Sequence, residues 1–450
     1  MQRQEKAAGA AGLRRTLTLW DLILYGVIVI QPTAPMSVFG VLSDKGHGHV
    51  VTTILLAMVA MMFTAISYGR MARAYPSAGS AFAYVGQEIS PVLGYVTGWS
   101  MVMDYMLNPM ICIIWISQQA HVFAPAVPYG VWAVFFAVVF TGMNLQGVKT
   151  SARMNAGLAA IMGAVIAVFF VTAVRYVFGH PHGDPGFFTL PFYDPQRFDA
   201  RSVLGGTSVA VLTYIGFDGI STLSEEVENP RRNILLATVA TCFVIGVLSA
   251  LEVYAAQLLW PASEAFPNVD TAFVFAAGRA WAPMFAIVGA TLLVANFGSG
   301  MGAQLGAARL LYGMGRSNAL PKSFFGALDP VRRVPRNNVV FVGAVALAGS
   351  FLISFGLGAE MLNFGALIAF MGVNAAAFTR YWLRGEQRTA ANFFPPVLGF
   401  LICLLLWLNL SAPAKLYGGL WMAAGVVFGA VKTRGFKGTL VDFDMPPEEA

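Results

Sequence analysis

Residues 203–232 read VLGGTSVAVLTYIGFDGISTLSEEVENPRR, and their interpretation decides the fold. The run from Val203 to Leu223 is long and apolar enough to cross a bilayer, which takes about 20 such residues. Yet Gly216-Phe217-Asp218-Gly219 sets an acid between two glycines at mid-span. Backbone that irregular survives at membrane depth only where it lines protein or a watery cavity. Beyond it come Glu225, Glu226, Arg231 and Arg232, which end the crossing. A broken, acid-bearing span is the expectation.

The composition around this stretch agrees with a membrane setting. Of 450 residues, 57% are hydrophobic and 11% are charged, against roughly 25% charged in soluble chains. So little charge does not keep a large surface in water. A soluble enzyme, a disordered chain and a disulfide-stapled secreted domain are excluded. The net charge of +6 would suggest nucleic acid in a soluble protein. In a membrane protein it reflects loops rich in Lys and Arg, and no nucleic-acid partner is expected.

Scanning for apolar runs predicts twelve spans, at about 17–42, 50–69, 92–120, 128–146, 155–178, 203–223, 234–259, 281–312, 338–357, 362–379, 395–411 and 416–431. The fold class is therefore an all-α polytopic membrane protein. A tail of residues 1–16, a membrane domain of residues 17–431 and a tail of residues 432–450 make up the chain. The basic N-terminus precedes an apolar run too long for a signal peptide and without a convincing cleavage site, so an uncleaved first span is expected. With the N-terminus inside, only Lys45, Arg175, Arg197, Arg201, Arg279 and Lys415 fall outside, 6 of 28 basic residues. That bias places both termini in the cytoplasm.

The first span is also interrupted. Gln31-Pro32-Thr33-Ala34-Pro35 separates Ile30 from Met36, and each proline removes a backbone donor and clashes with the preceding turn. Breaks at corresponding positions of two halves are the best sequence pointer to a transporter site. Three acids lie inside spans: Asp104, followed by Tyr105, in the third; Asp218 in the sixth, one turn after Tyr214; and Glu252 in the seventh. Each costs roughly 2.5–3.5 kcal/mol on insertion scales, and no Lys or Arg lies comparably deep. Either these acids pair helices together, or they hold a cationic guest or a proton. Glu225 and Glu226 read equally as gate ion-pair partners or as a solvated helix end.

Other features read as structural. Cys112, Cys242 and Cys403 lie far apart in apolar stretches, with no metal or disulfide spacing. His180 and His182 belong to a turn-rich loop, and no metal is expected there. Gly298, Gly302 and Gly306 recur every fourth residue, the pattern of a close-packing helix face. The run Gly298-Ser299-Gly300-Met301-Gly302 has neither a preceding strand nor a GKS/T ending, so it is no phosphate loop. No hydrolase or metalloenzyme motif appears, and neither a catalytic site nor a bound cofactor is expected. The basic segment 313–337 reads as an orientation signal that also attracts anionic lipid headgroups.

At these residues the chain resembles the amino acid–polyamine–organocation superfamily of transporters. GFDGISTLSEEVENPRRNI looks like that superfamily's sixth-span motif. FTAISYGRMARAYPSAGSAFAY, GWSMVMDYMLNPM, GAARLLYGMGR and LNFGALIAF extend the likeness, which is closer still to bacterial putrescine importers. The resemblance runs from Leu17 to about Gly425 and implies a leucine-transporter-type fold. That fold has a 5+5 inverted repeat (about 17–178 and 203–379), broken helices 1 and 6, and two added helices in 395–431. It also implies alternating access around a site between spans 1, 3, 6 and 8, driven by the proton gradient across a bacterial inner membrane. On this likeness Tyr105 faces the substrate and Asp218 responds to protonation or to a substrate amine. Tyr214 and Phe217 are aromatic walls or gates.

The first break refines the substrate. Amino-acid carriers of the superfamily use a glycine-rich break whose N–H groups bind the substrate carboxylate. Here Gln31 leads a break with no glycine and two donors missing, which favours a diamine held by carbonyls, Asp104 and Asp218. Ser37 stands where putrescine importers carry an acid, so an amino-acid substrate stays open. Sodium coupling, with Ser299 as an oxygen ligand, is the minor alternative to protons. Gln31, Asp104, Tyr105, Tyr214, Phe217 and Asp218 are the expected binding residues. Asp218, Glu225, Glu226 and Glu252 are the expected coupling or gating residues.

Overall fold

The computed structural model describes residues 17–75, 80–146, 152–180, 186–223, 227–316, 318–330, 332, 334–385 and 388–435. Among them the chain is nearly all helical, with no β-strand and one isolated bridge between Leu17 and Val227. Helices α1 (Leu19–Ile30) and α2 (Ala34–Lys45) flank the first break and lead to α3 (Val50–Ala74) and the short α4 (Ser80–Glu88). Then come α5 (Pro91–Phe123), α6 (Tyr129–Gln146), α7 (Ala152–Gly179) and α8 (Ala200–Ala210). Two 3-10 segments, Val211–Tyr214 and Phe217–Leu223, carry the chain on to α9 (Pro230–Leu259) and the short α10 (Ala272–Ala280). The remainder is α11 (Ala282–Arg316), α12 (Lys322–Phe325), α13 (Arg336–Leu352), α14 (Phe355–Phe378) with a π-type turn at Thr379–Leu383, α15 (Ala390–Leu408) and α16 (Ala412–Lys432).

Among the described residues ten helices are long and apolar enough to cross a membrane, while Leu19–Ile28 and Arg336–Leu352 are apolar but shorter. Helix α5 is central: 89% of its apolar window is buried, against 22% for α7, α15 and α16 at the rim. It packs against α11, α14, α13 and α6, whereas α3 and α9 run against each other beside α1.

Local sequence sets the boundaries. Thr18 and Asp21 form a capping box at α1, with the Thr18 N–H donating to Asp21 Oδ2 at 2.9 Å. Such a box satisfies N–H groups that have no partner within the helix. At α5, α8, α14 and α16 the side chains of Ser90, Asp199, Ser354 and Ser411 each accept one first-turn N–H, without the reciprocal half of the box. Ser354 also corrects the expected division of the ninth and tenth spans. The apolar run hides the turn at Ile353, and the tenth helix begins at Phe355. Likewise, Ala272–Ala280 forms a helix of its own, because Trp281 is extended (φ −160°).

The glycine stripe is a second correction. A side chain at Gly298 or Gly302 would meet nothing within 4 Å, so those two positions do not form a packed face. Gly306 alone of the three approaches a neighbour, the Tyr105 ring at 3.6 Å.

Polar networks tie the helices together at both ends. At the end holding Leu17, buried Glu88 accepts from the Tyr75 hydroxyl (2.6 Å), Arg380 (2.5 Å) and Arg384 (3.2 Å). Burial, with the Glu88 hydrogen bond, pushes the Tyr75 phenol up to about 12, which keeps it a neutral donor. At the opposite end Lys45 ion-pairs with Glu360, whose second oxygen accepts from the Ser411 N–H at 2.8 Å. Buried His49 accepts the Asp194 N–H at 3.1 Å and so docks the 186–199 loop onto the α2–α3 turn.

Candidate transport site

Both expected breaks are present. Gln31 takes a left-handed φ of 68°, and Pro35 sits in the first turn of α2, where its missing N–H costs nothing. The Gln31 carbonyl accepts the Ala34 N–H at 3.0 Å, while its side-chain amide donates to the Ala295 carbonyl of α11 at 2.8 Å. In the sixth span, regular helix ends at Ala210 and Gly216 takes φ 120°, a conformation that strains any residue with a Cβ. The Gly219 N–H donates to the Gly216 carbonyl at 3.0 Å. Backbone groups of Gly216, Asp218 and Gly219 also hydrogen-bond the Asp218 carboxyl.

The sixth-span break brings Asp218 within reach of Asp104, which lies on the continuous α5. Both carboxyls are buried, at 8% and 7% exposure, and they lie within electrostatic reach of each other and of Tyr105 and Tyr68. Tyr25 of α1 joins them, its hydroxyl 3.9 Å from where a Gly219 side chain would begin. Gly365 makes the Asp104 position possible. A Cβ there would sit 2.5 Å from the Ser100 carbonyl and 3.3 Å from the Asp104 N, so only glycine lets α14 cross α5 at this level. Among the described residues no Lys or Arg ion-pairs with Asp104 or Asp218.

Aromatic rings close one side of this group. Phe217 packs on Tyr68 (5.5 Å between centroids, 88°) and on Phe370 (5.3 Å), and Tyr68 also meets Tyr84 (6.3 Å). Sequence reasoning singled out Phe217 but not Tyr68, Tyr84 or Phe370, although FTAISYGRMARAYPSAGSAFAY and LNFGALIAF contain them.

The other expected residues fall elsewhere. Tyr214 is fully buried and donates to the Ile54 carbonyl of α3 at 2.9 Å, which secures the broken span to α3. Ser299 lies beside Cys112, whose thiol donates to Asn108 Oδ1 at 3.5 Å. Glu252 is buried on α9, apart from the Asp104–Asp218 pair, and neither of its carboxyl oxygens has a hydrogen-bond partner. Glu225 and Glu226 lie outside the described residues. Among the described residues no group of three or more His, Cys, Asp or Glu is placed to hold a metal.

Buried amides were missed as well. Asn363 of α14 donates to the Ser208 carbonyl at 2.7 Å, and Asn296 of α11 donates to Ser37 Oγ at 3.0 Å. Each joins a broken span to a continuous helix. The available signal was an amide inside an apolar run, as in LNFGALIAF.

Near the Lys45 end lie two cavities of about 620 and 380 Å³ that share Asp44 and Val269. Their acids include Asp44, Glu264, Asp270 and Glu360. Burial raises the Asp270 carboxyl above the ordinary carboxylate value. Hydrogen bonds from Arg279 lower that of Glu264.

Two interrupted helices meeting at buried acids inside an apolar bundle define a membrane permease, a transporter rather than an enzyme. The chain belongs to the amino acid permease family, whose model matches residues 34–420. It is 34% identical over 443 residues to the low-affinity putrescine importer PlaP of Escherichia coli (strain K12), covering 96% of both chains. It is 25% identical over 441 residues to the branched-chain amino acid permease BcaP of Lactococcus lactis, covering 92% of this chain and 93% of that one. Identity to the methylthioribose transporter of Bacillus subtilis is 25% over 444 residues, covering 92% of both.

Proposed function

We propose that the chain imports a small organic diamine, putrescine or a close relative, by proton symport with alternating access. The carrying observation is the proximity of two buried carboxyls, Asp104 and Asp218, with which no Lys or Arg ion-pairs among the described residues. A diamine supplies one ammonium for each. The Tyr105 ring at their side offers a π face to an ammonium. The first break supports the same choice: Pro32 and Pro35 lack N–H groups, and the Gln31 amide nitrogen is engaged by Ala295. A substrate carboxylate finds few donors there. The 34% identical relative bears the name of a putrescine importer.

In this reading the chain crosses the membrane twelve times, with α1–α2 and α13 as the two short crossings. Spans 1–10 form two inverted repeats of five, α15 and α16 are the added pair, and both termini face the cytoplasm of a bacterial cell. The acidic cavities near Lys45 face outward and gather cations. Amine and proton enter from that side. The rings of Tyr68, Tyr84, Phe217 and Phe370 then part as α1 and the sixth-span break tilt, releasing the amine inward. Asp218, Glu225 and Glu226 couple or gate this movement.

The second reading is an amino-acid permease, symporter or exchanger. The uncharged Asn296–Ser37 pair at the first break favours it, because no acid there selects for an amine. Uptake of labelled putrescine into membrane vesicles, challenged with unlabelled diamines, arginine, alanine and glutamate, separates the two. Competition by diamines alone supports the importer, and stronger competition by an amino acid overturns it.

A further inference from the structure

Five acids are buried among the described residues: Glu88, Asp104, Asp218, Glu252 and Glu360. Glu88 is held by Tyr75, Arg380 and Arg384, and Glu360 by Lys45 and the Ser411 N–H. Asp104 and Asp218 lie within electrostatic reach of each other, and in the proposed function a diamine places an ammonium on each. Glu252 alone has nothing. It is 0% exposed, and among the described residues neither carboxyl oxygen has a hydrogen-bond partner and no Lys or Arg ion-pairs with it. A buried carboxylate without donor or cation is very unfavourable, so these surroundings accommodate the neutral acid. An intramembrane acid of this kind calls for a functional reason.

Its position is informative. Thr241, Ile245, Glu252 and Ala256 are spaced four, seven and four apart and share one face of α9. Thr241 on that face abuts α1: a Cβ at Gly26 would lie 2.7 Å from the Thr241 hydroxyl. Glu252 lies about three turns, roughly 16 Å, further along the same face, on the side of α9 turned toward the first broken span. Five residues on, about 140° round α9 from Glu252, Gln257 Oε1 accepts from the Ser43 hydroxyl of α2 at 3.4 Å.

Other charged and titratable groups on the elements against α9 do not reach it. Toward the Lys45 end these are Asp44 and Lys45 on α2, Arg175 and Tyr176 on α7, and Arg279 on α10. Toward the breaks they are Tyr25 on α1, Tyr68 on α3, and Tyr214 and Asp218 in the sixth span. None hydrogen-bonds or ion-pairs with Glu252.

Charge counting then assigns its role. When two ammonium groups neutralise Asp104 and Asp218, neither acid is left to carry a proton alongside the amine. We infer that Glu252 is the proton-binding group of the transport cycle, in a site physically separate from the amine site. This rests on the proton-coupled amine reading above. The carboxylate takes one proton from water on one side and returns it to water on the other. The diamine crosses as its dication, and movement of α1 and α2 against α9 alternately opens Glu252 to each side.

The test compares wild type, Glu252→Gln and Glu252→Asp in liposomes with labelled putrescine. Glu252→Gln keeps putrescine counterflow, which needs no net proton movement, but loses accumulation driven by an acid-outside pH gradient. Infrared difference spectra, wild type minus Glu252→Gln, of the same samples without substrate show the C=O stretch of a buried neutral carboxylic acid that belongs to Glu252. Gradient-driven accumulation by Glu252→Gln at the wild-type level, or an unchanged acid band, overturns the inference. Should Glu252→Gln not fold, Glu252→Asp decides. A shifted pH profile of accumulation with unchanged counterflow supports the assignment, and an unshifted one overturns it. If wild-type protein exchanges putrescine but ignores the gradient, proton coupling itself fails and takes this assignment with it. If it does not move putrescine while the acid band is still lost in Glu252→Gln, the amine reading fails and Glu252 remains a proton site.

Discussion

The Gln31 side-chain amide donates to the Ala295 carbonyl at 2.8 Å, fastening the first break to α11. The bond lies where Gln31 already holds a left-handed φ, so side chain and backbone fix the break together. Gln31→Met keeps the volume and removes the donor. We expect a loss of about 0.5–1.5 kcal/mol, the usual net value of such a bond, with slower uptake. Gln31→Glu sets an acceptor against the carbonyl and should lose more. Melting curves of the purified protein check both. A Gln31→Glu protein as stable as wild type would show that the tether is incidental.

The Lys45–Glu360 pair predicts an asymmetry. Glu360 has 3% side-chain exposure and Lys45 has 33%, so removing the lysine strands a buried carboxylate that keeps only the Ser411 N–H. Lys45→Met should cost about 1–3 kcal/mol, below the 3–5 kcal/mol of a fully buried pair because water reaches Lys45. The double variant Lys45→Met/Glu360→Met should recover most of that loss. A double-mutant cycle with no coupling term would refute the pairing.

Two glycines separate packing from pattern. Gly365→Ala pushes a methyl toward the Ser100 carbonyl, and overpacking of this kind typically costs about 1–3 kcal/mol. It should also displace Asp104 and reduce transport. Gly302→Ala meets nothing within 4 Å and should stay within about 0.5 kcal/mol of wild type. Equal effects from the two would contradict the crossing described here.

Acid should loosen the loop that precedes α10. Arg279 donates to Glu264 at 3.1 and 2.5 Å, to the Leu259 carbonyl at 3.0 Å, and stacks on Trp260 at 4.1 Å. These bonds hold the Glu264 carboxyl below its ordinary value of 4.5. A lowered acid contributes stability above its ordinary value and loses it as pH falls through the lower, folded value. Protection of the amides across residues 261–271, taken relative to their intrinsic exchange rate at each pH, should therefore fall as pH drops below 4.5. In Glu264→Gln that protection should already be reduced at neutral pH and should not fall further in acid. Matching profiles would remove the pair from the account.

Much of this architecture was legible in the sequence, for specific reasons. Pro32 and Pro35 cannot donate, and Gly216 and Gly219 flank an acid, so both breaks announced themselves. Asp104 and Asp218 stood out because charge is scarce inside apolar runs. What stayed hidden depends on partners from distant parts of the chain. Hydropathy does not show that the Gln31 amide reaches Ala295, that Asn363 reaches Ser208, or that Tyr214 is bound to Ile54. The turn at Ile353 vanished inside an apolar run, and only the Ser354 cap marked it. The regular spacing of Gly298 and Gly302 misled, because a periodic small-residue face does not say whether another helix lies against it.

The central claim is that Asp104 and Asp218 together recognise a dication. Equilibrium binding of labelled putrescine to purified wild-type, Asp104→Asn and Asp218→Asn proteins tests it most directly, with butylamine and alanine as competitors. Wild-type protein should bind putrescine, and butylamine and alanine should displace it poorly. Each Asn variant should melt normally and bind more than about tenfold more weakly, a loss of roughly 1.4 kcal/mol or more. Wild-type affinity in either Asn variant, or displacement by alanine at lower concentration than unlabelled putrescine, would contradict it.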